Sequence, residues 1–366
     1  MPFLHPARIA AAAAIALAVL TASACTASGS APSSDADATP ALSSVELAAD
    51  PLALTGPSTA VAAASPIDPV DDAPQALPVS VVDNQGTQVT VSSTDRILAL
   101  DLYGSLGRIV FELGLGDSVV GRDVSTSFPE ASELPLVTQD GHDLSAEAIL
   151  ALDPTVILTD TSLGPWDVML QMRDAGIPVV VLDATRSTET VGSLIEQTAD
   201  ALGVSERGAA LAERTQQRID DEIAQIAAAI PEDAAARPRM AFLYVRGNAG
   251  VYYMFGEGTG AQSLVEALGG VDVAAEIGWE GMRPITDEGL ISAAPDLVLL
   301  MTGGLESAGG VEGLLEQLPA LAQTPAGENR RFVDMDDTQI LSFGPATAET
   351  LDALAVAVYA PDEARS

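Results

Sequence analysis

The sequence predicts an α/β protein of two similar lobes, each with a parallel-rich sheet, joined by a single long α-helix. Three observations predict it. Short apolar runs alternate with helical stretches, one supersecondary pattern is used twice, and a long amphipathic stretch separates the two copies. Alternation of strands and helices is the signature of parallel sheets covered by helices.

The strands come first. Val79 to Val82 and Gln88 to Val91 flank Asp83-Asn84-Gln85-Gly86, which reads as a hairpin. Further short apolar runs lie at Ile97 to Leu100, Val156 to Leu158, Val179 to Leu182, Ala241 to Val245, Leu297 to Met301 and Phe332 to Met335. The repeat comes next. Leu144-Ser145-Ala146-Glu147 leads through Ile149 and Leu150 to Pro154 and an apolar run. Ile285-Thr286-Asp287-Glu288 leads through Leu290 and Ile291 to Pro295 and another, at a constant offset of 141 (286 − 145). In each copy a Ser or Thr is placed to cap a short helix, and a Glu falls in its first turn, where its charge favours the helix dipole. A looser match relates Gly104 to Val120 with Gly260 to Ala274. Between the copies, Ile219, Ile223, Ile226 and Ile230 recur at helical spacing within Ser205 to Ile230, and Pro231 follows. About 26 residues at 1.5 Å each make a strut of about 39 Å.

The N-terminus carries targeting information. Arg8 precedes an apolar run from Ile9 to Leu20 and then Ala22-Ser23-Ala24-Cys25. This order describes a secretory signal over 1–24, with a run short of the roughly 20 residues a membrane span needs. Small residues before a cysteine resemble the bacterial lipobox, which implies lipidation of Cys25 and attachment to the membrane through it. Cys25 is the only cysteine, so the mature body has no disulfide and no thiolate chemistry. From 25 to 75 the chain is rich in Ala, Ser, Pro, Thr and Asp and reads as a lipidated, disordered tether. The boundaries that follow are an N-terminal α/β lobe over 76–203, a linking helix over 204–231 and a C-terminal α/β lobe over 232–366.

Composition excludes some partners. The formal net charge is −36, from 52 acids against 16 bases, and every base is an arginine. So acidic a chain is unsuited to nucleic acid or to anionic lipid headgroups as ligands. No Gly-x-Ser-x-Gly elbow and no phosphate-binding Gly-Lys-Ser/Thr loop occurs, and the chain reads as a binding protein and not an enzyme.

Two candidate site features stand out. His142, in Gln139-Asp140-Gly141-His142-Asp143, is the one histidine besides His5 of the signal. Tyr244-Val245-Arg246 ends the first strand of the second lobe, and strand alternation puts Tyr244 and Arg246 on one side. A cation beside a phenol favours its anionic form, and phenolate suits Fe(III). Taken singly, His142 also reads as a surface residue, Tyr244 as a strand-end aromatic, and Arg246 as the partner of a surface acid.

Two α/β lobes, one long helix and a lipobox resemble the solute-binding proteins that serve ABC importers of iron chelates, corrinoids and haem. The pairing of His142 with Tyr244-x-Arg246 resembles the HmuT-type hemin-binding lipoproteins among them. The resemblance implies two Rossmann-like lobes with a ligand cleft between them, and haem b (hemin) as the transported ligand. His142 and Tyr244 would be the axial ligands of the haem iron, with Arg246 bonded to the phenolate. It also implies that Glu147 and Glu288 dock on an ABC permease, and that Met301 lies close to the haem. Tyr103, Tyr252, Tyr253, Trp166 and Trp279 are available to cover the porphyrin, and Arg122 and Arg283 to meet its propionates. Implied partners are the permease with its ATPase and haem donor proteins. The chain would be a monomer, anchored at the outer face of the cell membrane. The alternative within the same fold is a ferric-siderophore or corrinoid carrier, which takes up a metal already ligated. Several histidines, as bare Zn carriers use, are absent.

Overall fold

The computed structural model describes residues 38–364. The signal sequence and Cys25 lie outside them. Strands β1 (Ser58–Ala60) to β14 alternate with helices in two sheets and two small ladders. The hairpin β2 (Val79–Val82) and β3 (Gln88–Val91) pairs antiparallel, as its turn residues predict. A parallel three-stranded sheet joins β4 (Ile97–Leu100), β7 (Val156–Thr159) and β8 (Val179–Val181). A seven-stranded sheet forms the second lobe. Its strands are β1, β9 (Arg239–Arg246), β10 (Val251–Phe255), β11 (Val271–Asp272), β12 (Met282–Pro284), β13 (Leu297–Met301) and β14 (Phe332–Met335). The path runs β1-β14-β13-β9-β10-β12, with β11 beside the start of β9. Its β1-β14-β13-β9 side is parallel, and β10 and β12 add antiparallel. The remaining ladder is the short antiparallel pair of β5 (Thr138–Gln139) and β6 (Asp143–Leu144).

Parallel strands read as continuous apolar runs because helices cover both faces. β4, β7 and β14 are buried at every position. Their side chains alternate between cores. Ile97, Ala99, Phe242 and Val333 enter one large core, Leu98 and Leu100 a second on the far side of the small sheet, and Leu243, Val245 and Phe332 a third on the far side of the large one.

The helices are α1 (Ser105–Val110), α2 (Ala146–Ala151), α3 (Trp166–Asp174), α4 (Val191–Ala201), α5 (Ser205–Ala229), α6 (Ala261–Ala267), α7 (Val273–Glu276), α8 (Asp287–Ala293), α9 (Thr302–Ser307), α10 (Gly310–Gln317), α11 (Pro325–Glu328), α12 (Thr347–Tyr359) and α13 (Pro361–Ala364). α5 is the amphipathic stretch between the two sheets in sequence, and spans about 38 Å over its 25 residues. Ile219 and Ile226 are buried in the large core, and Ile223 packs at its edge. The repeated caps form as their residues dictate. Ser145 Oγ accepts the N–H of Ala148 at 3.3 Å, and Thr286 Oγ1 accepts that of Gly289 at 3.1 Å.

The segment expected to be a disordered tether is corrected from residue 38 onward. Residues 38–60 lie along the second lobe, and by Ser65 the chain has reached the first, where Arg108 donates to the Ser65 carbonyl at 2.6 Å. β1 pairs in parallel with β14, the N–H of Leu42 donates to Asp352 Oδ1 at 3.0 Å, and that of Ala48 to the carbonyl of Tyr359 at 2.9 Å. Residues 67–76 then continue along the first lobe. Val70 N–H donates to the Glu112 carbonyl at 2.7 Å, and Ala76 N–H to that of Gly203 at 2.8 Å. The composition is poor in large apolar groups, but these backbone bonds supply partners that a sequence window cannot show. Residues 38–75 therefore belong to the packed body.

Candidate functional site

Both parallel sheets aim their carboxyl ends at one region, the usual place for ligands in α/β folds. His142 arrives there on the turn of the β5–β6 hairpin. Asp140 and Gly141 in that turn have φ of 48° and 95°. Asp tolerates the left-handed region, and at 95° only glycine fits without strain. The turn carries His142 at its tip, where the side chain is accessible to solvent but still partly desolvated by its surroundings.

Tyr244 and Arg246 share one face of β9, half-buried, while Leu243 and Val245 point into the core behind. Phe242 and Phe255 stack with centroids 5.1 Å apart, and Tyr244 stacks on Phe255 at 6.2 Å, so the phenol lies on an aromatic floor. The Arg246 guanidinium sits over the Tyr244 ring, 4.9 Å from its centroid. Its other side meets Asp337, 3.5 Å from Oδ2. Asp337 also accepts the N–H of Gly303 at 2.8 Å, which ties it to the start of α9.

The charges of Arg246 and Asp337 reach His142 from the opposite lobe. Burial pushes the imidazole below the ordinary histidine value and Arg246 lowers it further, while Asp337 and Asp143 pull it back up. The lowered value favours the neutral imidazole, the form in which histidine ligates metals. Met301, at the end of β13, packs on the same core as Tyr244, and Tyr253 is the cross-strand neighbour of Tyr244.

Other expected pocket residues lie elsewhere. Tyr252 pairs with Val245 and packs on the core behind the sheet, its hydroxyl bonded to Gln317. Trp279 packs on that same core, and Arg283 lies over its ring at 6.0 Å and pairs across strands with Met254. The register thus turns Tyr252 and Arg283 away from Tyr244, and Trp279 packs on the same side as they do. Trp166 packs with Leu144 and Leu163 in the first lobe, under the guanidinium of Arg173. Arg122 is spent on the backbone carbonyls of Asp123, Thr126 and Ser132.

Sequence reading missed a second cluster. Asp101 follows β4, Asp160 follows β7, and Arg186 lies beyond β8; all three are buried. The Arg186 guanidinium pairs with Asp101 at 3.2 Å and with Asp160, and lies over the ring of Tyr103 at 5.1 Å. Asp123, also buried, accepts the Asp101 N–H at 3.2 Å and the Thr126 N–H at 2.8 Å. Burial pushes Asp101 up to about 6, against the pull of Arg186, and Asp123 up to about 7. An acid directly after a buried apolar strand was the available signal. Tyr103 and Phe128 line a cavity of about 450 Å³ with Arg108, Thr338 and Glu349, walled on one side by residues 61–66. His142 and Tyr244 do not line it. It neighbours their region through Thr338, next to Asp337, whose hydroxyl lies 3.1 Å from that of Ser127 in the first lobe.

Two α/β lobes with parallel sheets are the architecture of a solute-binding protein. The chain belongs to the periplasmic binding protein family, whose model matches residues 102–338. Among solved structures it is similar to heme binding protein HmuT, at 40% identity and a TM-score of 0.79, over 85% of this chain and 99% of that one. Further structures of HmuT carry alanine in place of a histidine, a tyrosine and the arginine two positions after that tyrosine. Among curated proteins it is 27% identical to a cobalamin-binding protein of Halobacterium salinarum, over 84% of this chain and 81% of the relative. It is 25% identical to the ABC transporter substrate-binding lipoprotein YvrC of Bacillus subtilis, over 79% and 87%. Among the described residues no helix is long and apolar enough to cross a membrane.

Proposed function

We propose that this protein is the extracytoplasmic haem-binding component of an ABC importer, which captures hemin and delivers it to the permease. One observation carries the reading: Tyr244 and Arg246 share a face with the guanidinium on the phenol ring, and Arg246 acts on His142 of the other lobe. Neutral imidazole and phenolate from opposite sides suit ferric iron, and tyrosine is an established axial haem ligand. Arg246 would withdraw charge from the phenolate and moderate its preference for the ferric state. The alanine-substituted HmuT structures support the same trio. Met301 and Tyr253 would contact the porphyrin. Hemin would arrive from donor proteins, and the carrier would work as a monomer.

Cys25 would hold the protein to the outer face of the membrane by its lipid. Because residues 38–75 pack on the lobes, any tether from Cys25 is shorter than the stretch to residue 75 that composition suggested. Glu147 and Glu288 would dock on the permease.

The cobalamin-binding relative favours one competitor, a corrinoid carrier. Competition separates them. The protein loaded with hemin is challenged with excess cyanocobalamin and with a ferric siderophore. Retention of hemin against both supports the proposal, and displacement by cobalamin at comparable concentration overturns it.

A further inference from the structure

Ten large apolar side chains are exposed among the described residues. Four of them fall into two pairs at the 141-residue offset of the repeat: Leu136 with Ile277, and Leu150 with Ile291. Their exposures match, 48% with 41% and 47% with 50%. Leu150 and Ile291 each lie three positions after Glu147 and Glu288, so they share a helix face with them. The two helices are buried alike, Ile149 and Leu290 inward, with the glutamates and the following apolar residues outward. Leu136 adjoins the start of α2, since the Ser145 N–H donates to the Val137 carbonyl at 2.9 Å. Neither Glu147 nor Glu288 makes an ion pair among the described residues.

An exposed apolar residue is ordinary; the same one kept out of the core in both copies of a repeat is not. We infer that Leu136 with Leu150, and Ile277 with Ile291, are the apolar halves of two equivalent docking patches, each built beside one free glutamate. Two equivalent patches on one chain fit a partner with two equivalent sites, a two-fold symmetric dimer. Each site would offer a cationic group to the glutamate and an apolar recess to the pair of side chains. The inference rests on the reading of Glu147 and Glu288 as permease contacts, and it assigns the permease dimer as occupant. The apolar pairs supply the contact area that a lone exposed ion pair, worth little in water, does not.

The test measures binding of the hemin-loaded protein to the permease–ATPase complex in lipid nanodiscs. The variants are L136A/L150A, I277A/I291A, all four together, and E147Q/E288Q. Leu170→Ala is the control, because Leu170 is 43% exposed and its repeat counterpart Val311 is buried. Half-exposed side chains have about half their burial left to gain, so each pair of substitutions weakens binding roughly tenfold, and the four together by roughly the product. Leu170→Ala binds as wild type, and hemin titration is unchanged in every variant. Full binding by the apolar variants with loss in E147Q/E288Q overturns the inference and leaves the glutamates as sole contacts. Loss confined to one patch overturns the two-fold match. Full binding by all variants, E147Q/E288Q included, overturns the docking reading and this inference with it.

Discussion

Replacing Arg186 with Met tests how the ligand-facing end of the first lobe is held. The guanidinium is 2% exposed and the Asp101 and Asp160 carboxylates are fully buried. Removing one partner of a buried ion pair costs about 3–5 kcal/mol, because the charge left behind is uncompensated. At about 2–4 °C per kcal/mol for a chain of this order of size, melting falls by about 10 °C at pH 8. The loss depends on pH. Asp101 and Asp123 hold their protons more tightly in the native state than the ordinary carboxylate does. Their stabilising contribution is full below the ordinary carboxylate range and is lost as pH rises through about 6 to 7. Wild-type stability therefore falls across that window. Arg186 lowers Asp101, so its removal raises Asp101 further and keeps it protonated to higher pH. The penalty for Arg186→Met is greatest at pH 8 and shrinks toward pH 5. Urea unfolding at the two pH values measures it. An equal loss at both would refute charge compensation as the role of Arg186 and leave only its packing on Tyr103.

Other outcomes follow from the same structure. Tyr244→Ala weakens ferric haem more than His142→Ala, since an anionic ligand binds Fe(III) more strongly. Supporting residues around a metal are worth ~10–100-fold, so loss of the tyrosine exceeds ~100-fold in a hemin titration; comparable losses reject the ranking. Asp337→Asn keeps an acceptor for Gly303 but removes the charge that raises His142, so the pH at which acid breaks the imidazole–iron bond moves down. The absorption band followed through an acid titration reports this, and an upward move contradicts it. Stability of that variant changes by less than about 1 kcal/mol, because the Arg246–Asp337 pair is partly exposed. Arg331 donates to the carbonyls of Ala357 and Val358 and to Ser58 Oγ of β1. Arg331→Ala leaves buried carbonyls short of a donor, costs about 3 kcal/mol, and opens the segment before β2 to limited proteolysis. Unchanged cleavage would show that the segment is held without Arg331.

The regular elements were legible because each carries its own signal. β13 and β14 have the predicted ends, and α5 ends one residue before Ile230. Ser145 and Thr286 cap the helices that their spacing indicated. β1 was illegible because Ser58-Thr59-Ala60 is short and polar, and its partner β14 lies 275 residues away. The same distance hid the whole ordered segment from residue 38. Tyr252 and Tyr253 are adjacent, so alternation alone says that only one can face Tyr244. Choosing between them takes the β9–β10 register. Asp337 sits in an acidic run from Asp334 to Asp337, where nothing local marks it as the partner of Arg246. His142, Tyr244 and Arg246 were singled out because histidine is so scarce in this chain and because β9 ends at Arg246, as the structure shows for the strand.

The most direct measurement is an absorption titration of the chain lacking residues 1–25 with hemin, for wild type, His142→Ala and Tyr244→Ala. The account predicts a saturable one-to-one change in wild type, with a different ligation spectrum in each variant. No saturable change in wild type, or spectra in both variants identical to wild type, would contradict it.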